Sequence, residues 1–201
     1  MTNVITLSFN SVNYLNTSLP PRQFFVRKHC PLIIYDSVAN VPERLARVRN
    51  FNDFAADVNA SVLPQWNFIT PNLVNDGHDT DINFQSQWLE YFLIPLLNDK
   101  RFNDEKTLIL LTNDENENGH MNNNVFSVLV GGAVPQNLHG TVDSTFYTHY
   151  SAMSTVQANW KLSSLGRGDT NKLAHPHDDF ISMMLTYPLG PYPMFTLSSP
   201  R

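Results

Sequence analysis

Residues Thr107 to Glu117 read TLILLTNDENE, an apolar run that stops on a cluster of acids and asparagines. The run is short, rich in leucine and β-branched residues and bounded by turn formers, which predicts a buried strand. Being continuous, not alternating, it predicts a strand covered on both faces. The stretch from Asn113 to Asn124 holds 6 asparagines in 12 residues and reads as a loop. Beyond it Val125 to Val130 (VFSVLV) predicts a second strand. Upstream, Leu32 to Tyr35 (LIIY) and Trp66 to Thr70 (WNFIT) predict two more, the latter stopped by Pro71.

Helical spacing fills the gaps. Gln85, Trp88, Leu89, Phe92, Leu93 and Leu96 follow the 3.6-residue period behind the possible caps Asp79 and Asp81. They predict a helix from about Asn83 to Leu97, ended or kinked by Pro95. Pro42 opens a second helical segment, and Asn52-Asp53 a third that Pro64 stops. A fourth runs from about Ser151 to Leu165 with Gly166 as its C-cap. Strands alternating with helices predict an α/β fold around a largely parallel sheet. From His175 to Arg201, five of the thirteen prolines fall in a stretch with no period, so residues 174–201 read as an irregular tail.

At 201 residues and 22.9 kDa the chain suits one ordinary core and not two. Charged residues are only 15%, against roughly 25% in typical soluble domains. A net charge of -5 and a pI near 5.7 leave no basic stripe, which argues against a nucleic-acid partner. The single cysteine, Cys30, excludes an internal disulfide and a paired-cysteine zinc site. The longest apolar run, Trp88 to Leu97, is interrupted by Glu90 and Pro95 and is too short to span a bilayer. The first residues show no signal-peptide pattern, yet Asn16-Thr17-Ser18 and Asn59-Ala60-Ser61 are glycosylation sequons.

Asp114-Glu115 carries the strongest chemical signal, because loops at the carboxyl ends of parallel strands are where α/β proteins bind ligands. Adjacent carboxylates there suit a hard divalent cation, and equally a solvated loop. Asp114, Asn116, Asn118 and Gly119 match the start of an EF-hand loop, but Val125 stands where the bidentate glutamate belongs, and the flanks read as strands. The second signal is Asn75-Asp76-Gly77-His78-Asp79, between a strand and a helix. His78 shares the sheet edge of Asp114 if both strands are parallel, and could bind an anion or pass a proton. Lys28-His29, before Cys30-Pro31, means little by itself. No Gly-x-Ser-x-Gly elbow, phosphate loop or His-Glu-x-x-His is present. Cys30 reads as a small buried hydrophobe, His149 as a helix-start residue, and His175 and His177 as tail residues.

In order, the blocks FFVRKHCPLIIYDSVANVPERLARVRNFNDFAADV, LPQWNFITPNLVNDGHDTDI, TLILLTNDENE and VLVGGAVPQNLHGTVDSTFYTHYSAMSTVQANWKLSSLGRGD resemble the phosphoesterase family of fungal-type acid phosphatases and related phospholipases C, in the alkaline-phosphatase superfamily. The resemblance covers roughly residues 14 to 173. It implies a three-layer α/β sandwich of the alkaline-phosphatase type, of which residues 1–173 would be the incomplete C-terminal portion. It also implies metal-assisted hydrolysis of a small phosphate monoester, in which a serine or threonine hydroxyl attacks phosphorus and water releases the phosphoenzyme. By the same carry-over Asp114 and Glu115 are metal ligands for a divalent ion, and His29 and His78 catalytic residues that contact phosphate or the leaving group. Apart from the resemblance, their places on either side of His78 suggest that Asp76 and Asp79 orient it. Nothing matches the family's upstream block with its nucleophile, Asn113 replaces a bulky apolar residue, and Cys30 replaces an asparagine. The chain therefore reads either as part of an acid phosphatase or as a non-catalytic domain that binds phosphate or a divalent ion. An extracellular or cell-wall location is implied.

Overall fold

The computed structural model describes residues 4–7, 27–116, 123–170 and 194–199. They form two compact units, one of residues 1–133 with 193–201 and one of residues 134–192. The division falls inside the stretch that the sequence reading takes as one portion.

The first unit is α/β. Its sheet has six strands: β1 (Val4–Leu7), β2 (Val48–Arg49), β3 (Trp66–Ile69), β4 (Leu108–Asn113), β5 (Ser127–Val130) and β6 (Met194–Ser199). They lie in the order β2-β1-β3-β6-β4-β5. All pairings are parallel except β4 with β5, where Ile109 faces Val130 and Thr112 faces Ser127. Both β3 and β4 run parallel to β6, so their carboxyl ends share one edge of the sheet. Leu108, Ile109 and Leu110 are all buried, as the unbroken apolar run predicts.

Two helices build the core with the sheet. α4 (Phe51–Ala60) starts on a reciprocal cap, in which Asn50 Oδ1 accepts from Asp53 N–H at 3.0 Å and Asp53 returns to Asn50 N–H. α5 (Ile82–Asn98) is capped by Asp81, whose Oδ1 accepts from Phe84 N–H at 2.9 Å. Phe51, Phe54, Val58, Ile69, Leu93, Phe102 and Ile109 form the buried cluster. Trp88 stacks on Phe92 one turn along α5, their centroids 4.8 Å apart. Pro95 does not end α5, which runs three residues further. The amide that proline lacks costs one bond, and Leu93 in the preceding turn is already anchored in the core.

The sequence reading misassigns three segments. LIIY is not a strand: Pro31 opens the short helix α1 (Pro31–Ile34), followed by α2 (Asp36–Ala39) and α3 (Pro42–Leu45). Proline at the first helical position is pre-set for a helix, and four apolar residues cannot separate strand from helix by period. The stretch read as an irregular tail contributes β6 between β3 and β4; its six residues between Pro193 and Pro200 are too few to show a period. The rest of 174–201 lies outside the described residues.

In the second unit, α6 (His149–Trp160) begins with His149 after the cap Thr148. It ends at Lys161, in the left-handed conformation, and not at Gly166. The reason is Asp169. Its carboxylate accepts from Gln157 Nε2 at 2.9 Å, Ser164 Oγ at 2.9 Å, Leu165 N–H at 2.8 Å and Arg167 N–H at 2.8 Å. The loop winds around that charge instead of continuing the helix. Among the described residues no helix is long and apolar enough to cross a membrane.

Candidate active site

The site grows out of the turns that follow β3 and β4. After β3, Asn72 shapes the chain: its Oδ1 accepts from Val74 N–H at 3.2 Å and Asn75 N–H at 2.9 Å, an Asx turn that reinforces the backbone bonds of Asn75 and Asp76 N–H to Asn72 O. Gly77 then takes φ +93°, a conformation that side chains rarely adopt. That turn brings His78 N–H onto Asp76 Oδ1 at 2.8 Å. His78 Nδ1 lies 2.8 Å from Asp79 Oδ1.

His29 arrives from a different direction, at the end of a short 3₁₀ turn (Arg27–His29). Cys30 N–H donates to Arg27 O at 3.1 Å, and the Arg27 guanidinium donates to Ile33 O at 3.0 Å, fastening the turn to α1. His29 is only 5% exposed. Its ring meets that of His78 edge to face, with centroids 5.3 Å apart. The two histidines expected at one site are thus in contact. Cys30 beside them is buried, and burial raises its thiol above the ordinary range, which makes it a packing residue and not a nucleophile.

Asp114 follows β4 at the same sheet edge. One of its carboxyl oxygens is buried, and its backbone carbonyl accepts from Asn123 Nδ2 at 2.9 Å. The same Asn123 side chain accepts from Asn116 N–H at 2.8 Å, so it clamps the loop on both sides of Glu115. Glu115 itself is exposed. Asn118 and Gly119 of the EF-hand pattern, with His175 and His177, lie outside the described residues.

Asp76 was weighed in the sequence only as an orienting group, and it is the electrostatic centre of the site. It is 1% exposed, and burial pushes its carboxyl up to about 8. The His78 N–H opposes that rise, while the charges of Asp79 and Asp114 add to it. Asp114 therefore acts on the group that holds His78. Buried, mutually repelling carboxylates are relieved by a cation, and an all-oxygen donor set matches a hard divalent ion in kind. Among the described residues no three His, Cys, Asp or Glu side chains form a complete ligand set. Asn72 carries no signal in the sequence, and Asn123 only its membership of the asparagine-rich stretch 113–124.

The arrangement sets two imidazoles side by side near acidic side chains, groups that can bind an anion and exchange a proton. A model of the Phosphoesterase family matches residues 6–163. The chain belongs to that family. Among its relatives, a probable acid phosphatase of Kluyveromyces lactis is 50% identical over 167 residues, covering 82% of this chain and 39% of that protein. An acid phosphatase of Aspergillus fumigatus is 50% identical over 161 residues, covering 80% and 36%. A phosphate-repressible acid phosphatase of Penicillium chrysogenum is 48% identical over 149 residues, covering 74% and 36%. The chain thus spans less than two-fifths of the length of these curated relatives. No solved structure matches it. The family match takes in His29, Asp76, His78 and Asp114.

Proposed function

We propose that the protein is a phosphoric monoester hydrolase of the acid phosphatase type, built on an alkaline-phosphatase-like sandwich. The observation that carries the reading is the contact of His29 with His78 at the sheet edge that bears Asp114. The names of the relatives support it. His29 and His78 hold the phosphate charge. One of them gives a proton to the leaving oxygen as the ester P–O bond breaks and the attacking hydroxyl bonds to phosphorus. That hydroxyl is not identified by any motif in this chain, and water then cleaves the phosphoenzyme. Asp114 and Glu115 would hold a divalent ion, with further ligands beyond the described residues. When bound, the ion neutralises charge on the phosphoryl oxygens. Asp76 keeps the His78 turn in place.

A second reading is a phosphatase-like domain that binds phosphate or a divalent ion without turnover. Hydrolysis of a chromogenic phosphate monoester by the purified 201-residue chain separates the two. We expect little or no turnover together with binding of inorganic phosphate. Robust turnover abolished by Asp114→Ala makes this chain sufficient as the enzyme; absence of turnover, of phosphate binding and of divalent-ion binding overturns both readings.

The same proposal includes an extracellular or cell-wall location. Asn59 of the second sequon is exposed in the last turn of α4, where a glycan can be attached; Asn16 of the first lies outside the described residues. A loss of mass on treatment of the native protein with a peptide N-glycosidase is the expected result.

A further inference from the structure

We infer that Asp79 is a positioning residue that holds His78 as its Nδ1–H tautomer, leaving Nε2 as the ring atom presented to the phosphate ester. The functional part of this inference rests on the phosphatase reading of His78; the geometric part does not. An ionised carboxylate has lone pairs and no hydrogen to donate, so the 2.8 Å contact between Asp79 Oδ1 and His78 Nδ1 requires the hydrogen to sit on Nδ1. A free histidine side chain in water favours the other tautomer, so the carboxylate reverses a preference.

Both partners are tied at the backbone. His78 N–H donates to Asp76 Oδ1 at 2.8 Å, Asp79 N–H donates to Leu73 O at 2.7 Å, and Thr80 Oγ1 donates to Val74 O at 2.6 Å. The pair is therefore held by its turn and does not depend on two freely rotating side chains finding each other. Capping of α5 falls to Asp81. With Nδ1 turned to Asp79, Nε2 is the ring atom left to take a proton from solvent and deliver it to a leaving oxygen.

Long-range proton–nitrogen NMR of the 201-residue chain with ¹⁵N-labelled histidine, above the histidine titration, reads the tautomer directly. His78→Gln identifies the signal. The expected result is Nδ1 protonated and Nε2 bare in the wild type, Nε2–H dominant in Asp79→Ala, and the Nδ1–H form restored in Asp79→Asn, whose amide oxygen still accepts. An Nε2–H ring in the wild type overturns the inference without any variant, as does an unchanged tautomer in folded Asp79→Ala. Inorganic phosphate is the second probe. A shift at His78 Nε2 supports both the pair and the phosphatase reading; an intact Nδ1–H tautomer that phosphate leaves unmoved supports the pair and counts against that reading.

Discussion

The imidazoles of His29 and His78 meet edge to face at 5.3 Å, their planes inclined by 68°. One comes from the turn before α1 and the other from the loop after β3. Two rings at this distance share one anion more easily than two charges, because protonating both without a counter-charge sets like charges together. Inorganic phosphate should therefore bind through both. Replacing either histidine by asparagine is expected to weaken phosphate binding by about tenfold or more, the loss of one charge-assisted hydrogen bond. The double variant should lose less than the product of the two. Isothermal titration of the purified chain measures all three.

Asp76 makes the fold depend on pH. Its folded carboxyl is raised from 3.8 to about 8, so between those values the folded state keeps a proton that the unfolded chain has released. Stability then falls as pH rises from about 4 to about 8, at about 1.4 kcal/mol for each unit of difference. Asp76→Asn removes the dependence. Its melting temperature at pH 8 should exceed the wild type by about 5 °C or more, while the two converge near pH 4. Thermal melts across that range decide it.

A divalent ion should relieve the same strain. Magnesium, manganese or calcium at a hundredfold excess over its dissociation constant adds about 2.7 kcal/mol to the stability of the folded chain. Asp114→Ala should abolish that gain. A thermal shift that persists in the variant would place the ion elsewhere.

Asp169 has the opposite sign. Its donors hold the carboxyl far below the ordinary range, the Gln157 side-chain amide contributing most. The stabilisation is complete above the unfolded value and is lost as pH falls toward the depressed one. Asp169→Ala should lower the melting temperature by about 5 °C at neutral pH and leave a smaller difference in strong acid. Circular dichroism melts at both conditions report it.

Gly131 lies at φ +114°, where an added Cβ would sit 2.3 Å from the Thr107 carbonyl oxygen. Gly131→Ala must displace the start of β4 or the end of β5, at a cost of about 2–4 kcal/mol. Urea denaturation should show an earlier midpoint with little change in slope.

What was legible followed from period and position. TLILLT is legible as an unbroken apolar run buried on both faces, WNFIT as a short run stopped by Pro71 and the Gln85–Leu96 pattern by its helical period, and the parallel relation of β3 and β4 to β6 puts the loops of His78 and Asp114 at one edge. LIIY failed because four apolar residues look alike in either conformation, and Pro31 was the better guide. The end of α6 was hidden because a single charge, Asp169, organises the loop through contacts that no local pattern announces. At the site, His78 and Asp114 could be picked out by their place after strands. The burial that turns Asp76 into the electrostatic centre depends on packing from α5 and the Asn72 turn, which no spacing displays.

The place of β6 bears on how the molecule is made. It is the last strand in sequence, yet it separates β3 from β4. During synthesis, the edges of those two strands that face the gap have no partner until more than eighty further residues have left the ribosome after β4. Through that interval the nascent sheet is a pair of open ribbons, with the histidine turn on one and the acidic loop on the other. Assembly of the His78–Asp114 edge therefore waits on the arrival of Met194–Ser199.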